Sequence, residues 1–168
     1  TITFNTGGGD GTFGIYMPSL RTNITIKNCI ISDINASGSG GFGILFTSVN
    51  HSFIQNNTIQ TNGTDNNRGI LLSSSSLNNT LTLNTIRTQG TSSGNVGVGA
   101  SSTSHHNIII NNFISTNGTT NNYGIDHQST IRNTTIRNNT IYYREGRGMF
   151  LLDSMYLNIT NNTIIGLD

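Results

Sequence analysis

The side chains that could do chemistry are few and widely spaced. The chain holds seven acids, Asp10, Asp33, Asp65, Asp126, Asp153, Asp168 and Glu145. Hydrolysis of a glycosidic bond needs two carboxyls about 5 to 10 Å apart, one to protonate the leaving oxygen and one to attack or to activate water. Asp126-His127, with Arg144, Glu145, Arg147 and Asp153, comes nearest to such a set. Its acids, Asp126, Asp153 and Glu145, are the only catalytic candidates, and their scatter favours a surface cluster without catalysis. Four histidines, His51, His105, His106 and His127, and one cysteine, Cys29, complete the inventory. A zinc site needs three or four ligands within about 2 Å of one ion. His51 and His106 recur in phase with Asn78 between them, too far apart for one ion. Met17, Met149 and Met155 fall elsewhere. No metal and no cofactor is expected.

What must position these residues is an unusual chain. Of 168 residues, 26 are Asn, 25 Thr, 18 Ser and 20 Gly, while Lys27 and Glu145 are the only residues of their types. Helix formers are therefore scarce, and an all-β protein rich in turns is expected. Charged residues are 9% and the net charge is +1. This excludes the basic stripe that nucleic acid requires. No apolar run is long enough to insert in a membrane. A lone Cys29 makes no internal disulfide.

A repeat organises the chain. Ile54-Gln55-Asn56-Asn57-Thr58-Ile59 recurs at Ile26–Ile31, Leu81–Ile86, Ile109–Ile114, Ile136–Ile141 and Ile159–Ile164. Its fourth position falls at 29, 57, 84, 112, 139 and 162, in steps of 28, 27, 28, 27 and 23. A second motif runs in phase: Gly14-Ile15, Gly43-Ile44, Gly69-Ile70, Gly97-Val98, Gly124-Ile125 and Gly148-Met149. Alternation within each motif has period two, which indicates short strands. Coils of 27 or 28 residues with three strands and three turns would stack as parallel sheets around one core.

Stacking turns the repeat into columns. Ile26, Ile54, Leu81, Ile109, Ile136 and Ile159 form one inward column, and Ile31, Ile59, Ile86, Ile114, Ile141 and Ile164 another. Asn57, Asn84, Asn112, Asn139 and Asn162, headed by Cys29, lie between them and are expected to be a buried ladder. Ser19, Ser48, Ser74, Ser102 and Ser129 are expected to form a similar ladder at another corner. Tyr16, Leu45, Leu71, Gly99, Asp126 and Phe150 form an outward column, while His127 falls in the core column of Leu72 and Leu151. Asn-X-Ser/Thr sequons stand at Asn23, Asn35, Asn50, Asn56, Asn62, Asn78, Asn117, Asn133, Asn138, Asn158 and Asn161, the candidates for N-glycosylation.

The paired motifs, Gly-Ile-x-Leu-x-x-Ser and then Asn-x-Ile-x-x-Asn-x-Ile, resemble the parallel β-helix repeat of the pectate-lyase-like superfamily. Within it they are most similar to NosD-type and carbohydrate-binding and sugar-hydrolase repeats. The resemblance covers essentially the whole chain and implies an all-β, right-handed, single-stranded parallel β-helix of about six coils, one domain over 1–168. Functions within that superfamily range from polysaccharide cleavage to adhesion, so fold alone does not choose among them. The expectation is a structural extracellular or cell-surface module rather than an enzyme. The alternative is a polysaccharide-binding or polysaccharide-degrading β-helix. The chain opens in strand-like Thr1-Ile2-Thr3-Phe4 and closes in Thr163–Asp168, with no polar cap at either end. An excerpt of a longer chain, or a protomer meeting other copies through its terminal coils, is therefore expected. Glycans are the other candidate partners.

Overall fold

The computed structural model describes residues 2–3 and 11–167, with side chains described from residue 11 apart from 37–39. Thr1, Phe4, Asp10 and Asp168 lie outside the described residues. The described residues contain strands and turns and no helix. Three long parallel sheets run along one axis, and Arg21–Thr22 pairs with Val49–Asn50 in a short two-stranded sheet. The first contains Phe13–Met17, Phe42–Thr47, Arg68–Ser73, Val96–Ala100, Asn122–His127 and Gly146–Leu151. The second contains Thr25–Lys27, Phe53–Gln55, Thr80–Thr82, Ile108–Ile110, Thr135–Arg137 and Asn158–Thr160. The third contains Ile2–Thr3, Ile30–Ser39, Thr58–Asp65, Thr85–Gly90, Phe113–Asn117, Thr140–Arg144 and Thr163–Leu167. The chain visits the sheets in that order and then repeats, which makes a β-solenoid of about six coils.

The Cα register matches the columns of the repeat. Ile26, Ile54, Leu81, Ile109, Ile136 and Ile159 are successive partners across the second sheet. Ile31, Ile59, Ile86, Ile114, Ile141 and Ile164 are successive partners across the third. Nearly all of these side chains are fully buried, and burying each contributes roughly 2 kcal/mol. In the last coil Ile159 and Ile164 are 43% and 47% exposed. β-branched side chains suit such columns because each packs flat on its counterpart one coil away.

The second motif has a steric cause. At its glycine the first sheet runs close against the third. A Cβ at Gly69, Gly97, Gly124 or Gly148 would stand 2.2 Å from the Cγ2 of an isoleucine on the third sheet. Only glycine allows that approach, so Gly precedes the core residue in every coil. The other corners are turned by residues in the left-handed region. Asn23, His51, Asn78, His106, Asn133 and Tyr156 have φ between 51° and 58°, as do Asn28, Asn56, Leu83, Asn111, Asn138 and Asn161. Asn adopts this conformation more readily than most side chains. Six sequon asparagines, Asn23, Asn56, Asn78, Asn133, Asn138 and Asn161, thus have a conformational reason to be asparagine.

Candidate functional site

The asparagines that look most chemical hold one coil to the next. Asn57, Asn84, Asn112 and Asn139 are buried where the second sheet passes into the third. Asn84 Oδ1 accepts the backbone N–H and the Nδ2–H of Asn57, both at 3.0 Å, while Asn57 Nδ2 also donates to Ile26 O at 3.0 Å. In the next coil Asn84 donates in the same way, twice to Asn112 Oδ1 at 3.0 Å and once to Ile54 O at 2.8 Å. The three bonds recur from Asn112 to Asn139 and from Asn139 to Asn162. Cys29 N–H donates to Asn57 Oδ1 at the head of the stack. An amide has two donors and one acceptor oxygen, and this geometry satisfies all of them.

Two further stacks escaped the sequence analysis. Asn67 Nδ2 donates to Asn95 Oδ1 at 2.8 Å, and Asn95 Nδ2 to Asn122 Oδ1 at 2.9 Å, at the entry to the first sheet. Their signal is Asn-x-Gly in three consecutive coils: Asn67-x-Gly69, Asn95-x-Gly97 and Asn122-x-Gly124. At the entry to the second sheet, Ser52 N–H donates to Asn79 Oδ1 and Asn79 N–H to Asn107 Oδ1. The expected serine ladder is corrected: Ser74, Ser102 and Ser129 are exposed in the left-handed region, where they turn the corner. Two residues beyond Ser74 and Ser102 stand the buried Ser76 and Ser104, which accept from Val49 N–H and Ser76 N–H at 3.2 Å.

The catalytic candidates do not converge. Glu145 and Asp153 are exposed at left-handed corners, with φ of 51° and 50°. Among the described residues, no hydrogen bond or ion pair joins either to Asp126, and no group of three or more His, Cys, Asp or Glu could hold a metal. Asp126 and His127 point to opposite faces of the first sheet. His127 is fully buried, and neither ring nitrogen has a hydrogen-bond partner. Burial lowers its pKa from 6.5 to about 4. His105 Nδ1 accepts from Arg132 N–H at 3.1 Å, and the ring stands edge-on to His106.

Asp126 departs from expectation in a second respect. It stands in the outward column between Gly99 and Phe150, as its register requires, yet it is only 2% exposed. Gly99 leaves a notch in that column, and Arg68, two coils away, reaches along it. A Cβ at Gly99 would lie 3.0 Å from Leu71 Cδ1 and 3.9 Å from Arg68 Cδ. The result is a cavity of about 80 Å³ lined by Arg68, Leu71, Gly99, Ala100, Ser101, Asp126 and Gln128. Gln128 Nε2 donates to Asp126 Oδ2 at 2.6 Å, while Oδ1 is buried without a partner. Burial holds Asp126 above its ordinary carboxylate range, against smaller opposing effects of Gln128 and Arg68. Burial likewise lowers Arg68, opposed by Asp126.

Aromatic side chains flank the notch on the same face. Phe13 and Phe42 stack at 5.2 Å, with Arg68 5.9 Å from the Phe42 ring. On the other side Tyr123 and Phe150 stack at 5.2 Å, with Arg147 5.2 Å from the Phe150 ring. The third sheet carries a different feature, an open groove of about 460 Å³. Asn35, Asn62, Gln89 and Asn117 stand side by side in register and line it over Gly63 and Gly90.

The family model described as "Right handed beta helix region" matches residues 1–128. The chain belongs to the right-handed β-helix family. No curated protein and no solved structure matches it. The family match agrees with the parallel three-sheet β-helix and with glycine at each close approach of the first and third sheets. It names no reaction and no ligand.

Proposed function

We propose that this β-helix is a structural module of an extracellular or cell-surface protein, joined through its terminal coils to other copies or to further repeats. The observation that carries this reading is the use of the buried asparagines. Three stacks of polar side chains bind coil to coil, and among the described residues the acids are left scattered. A catalytic β-helix would bring carboxyls together over one face. On this reading a contact through the last coil would involve Ile159 and Ile164, which are 43% and 47% exposed. Sedimentation of the chain and of an Ile159→Asp/Ile164→Asp variant tests it. Concentration-dependent association that the variant loses is the expected result. A monomer at every concentration overturns the assembly reading.

One observation favours polysaccharide binding as the second reading. Neutral amides in a row suit the hydroxyls of an uncharged glycan, and Asn35, Asn62, Gln89 and Asn117 supply such a row along a groove. Kinship with NosD-type or carbohydrate-binding and sugar-hydrolase repeats would belong to this reading. Electrophoresis through gels containing neutral polysaccharides separates the two: retardation abolished by Gln89→Ala supports glycan binding, and unchanged mobility supports the structural module alone.

A further inference from the structure

We propose that the notch over Gly99 is a binding site for a compact zwitterion, a free α-amino acid such as glycine, with its carboxylate toward Arg68 and its ammonium toward Asp126. Three observations meet there. Asp126 is 2% exposed, and its Oδ1 has no partner. No hydrogen bond or ion pair of the Arg68 side chain occurs among the described residues, although five N–H donors are available on a guanidinium. The two groups line one cavity without an ion pair between them, and Gly99, which separates Leu71 from Asp126 in its column, leaves open the space that Arg68 reaches over from the neighbouring column.

A buried carboxylate and a partly buried guanidinium that do not reach each other are a costly arrangement, and filling the gap with complementary charge relieves it. An inorganic anion would meet Asp126, and a simple cation would meet Arg68. A neutral diol could hydrogen-bond both walls but would neutralise neither. A zwitterion matches both ends. The cavity of about 80 Å³ has the room of roughly two to three waters, which suits glycine or alanine. Leu71 offers the only large apolar side chain of the lining, sufficient contact for a methyl group. This site stands independently of whether the coils assemble.

The test is a titration of the isotope-labelled chain with glycine at neutral pH, followed through its backbone amide shifts. Saturable shifts at Gly99, Ala100 and Ser101 are expected. Acetate, methylammonium and ethylene glycol, each carrying part of the chemistry, should bind at least about tenfold more weakly. Asp126→Asn and Arg68→Met should each weaken glycine binding by at least about tenfold. Asp126→Asn should melt no lower than the parent, because it removes an unpaired buried charge. This separates loss of binding from loss of fold. Absence of saturable glycine shifts, as expected if ordered water alone fills the notch, overturns the proposal. So does an equal response to ethylene glycol, or glycine binding that survives either substitution.

Discussion

Asn112 and His127 are buried in neighbouring stretches of the chain, at 2% and 0% exposure, and their polar atoms fare differently. Asn112 accepts from Asn84, donates to Asn139 and donates again to Leu81 O. His127 bonds to nothing through its ring, because Ala100 and Leu151 stand above and below it in its column. Asp126, its neighbour, has Gly99 and Phe150 in the same positions. In a solenoid the nearest partner of a buried side chain is the residue one coil away. A polar residue repeated at the coil period therefore meets its own complement, and one that occurs once meets whatever its column supplies. Thr61, Thr88 and Thr116 show that repetition alone does not suffice: they are consecutive and buried, yet their hydroxyls lack partners. In this column the hydroxyls find nothing to bond across the coils, whereas those of Ser76 and Ser104, at a corner, accept a backbone N–H from the adjacent coil.

The strongest way to break this contrast is Asn112→Leu. It leaves two Asn84 donors and Leu81 O without the partner that Asn112 supplies, in a buried site. A loss of about 4 kcal/mol in urea denaturation is expected, several times the effect of Asn162→Leu in the less buried last coil. A loss equal to that of Asn162→Leu would show that the ladder contributes little.

His127 gives the next effect, and it depends on pH. Its folded pKa of about 4 lies below the ordinary 6.5, so the unfolded chain binds its proton first as pH falls. Stability should drop through that window and lose about 3 kcal/mol from this group by pH 4. His127→Leu, matching Leu72 and Leu151 of its column, should remove this part of the slope. Asp126 works in the opposite direction. Its raised pKa means the folded state takes up a proton more readily than the unfolded chain, so acid relieves a penalty there. Denaturation of the parent, His127→Leu and Asp126→Asn across the acid range separates the two.

The smallest effect sharpens the pattern. Leu83 is 52% exposed with φ of 58°, at a corner where the adjacent coils place Asn56 and Asn111. Leu83→Asn should stabilise by about 1 kcal/mol, the order of the left-handed penalty for an ordinary side chain. No gain in the denaturation midpoint would mean that the corner is held by its coil-to-coil hydrogen bonds rather than by the residue's own preference.

Period, sheet number and the inward columns were legible in the sequence, because each rests on residues that recur in phase and need only their own copies as neighbours. The first asparagine stack was legible for the same reason. The stacks of Asn67, Asn95 and Asn122 and of Asn79 and Asn107 were harder to see, since each occupies only part of the coil series. Which serines turn corners and which bond inside the coil was decided by backbone conformation, and a difference of two positions in sequence carries no mark of it. The notch belongs wholly to the tertiary structure. Columns run along the axis and can be listed from the repeat, but Arg68 stands in a different column from Asp126. Only the lateral reach of its long side chain over a glycine brings the two charges to one cavity, and that reach has no period.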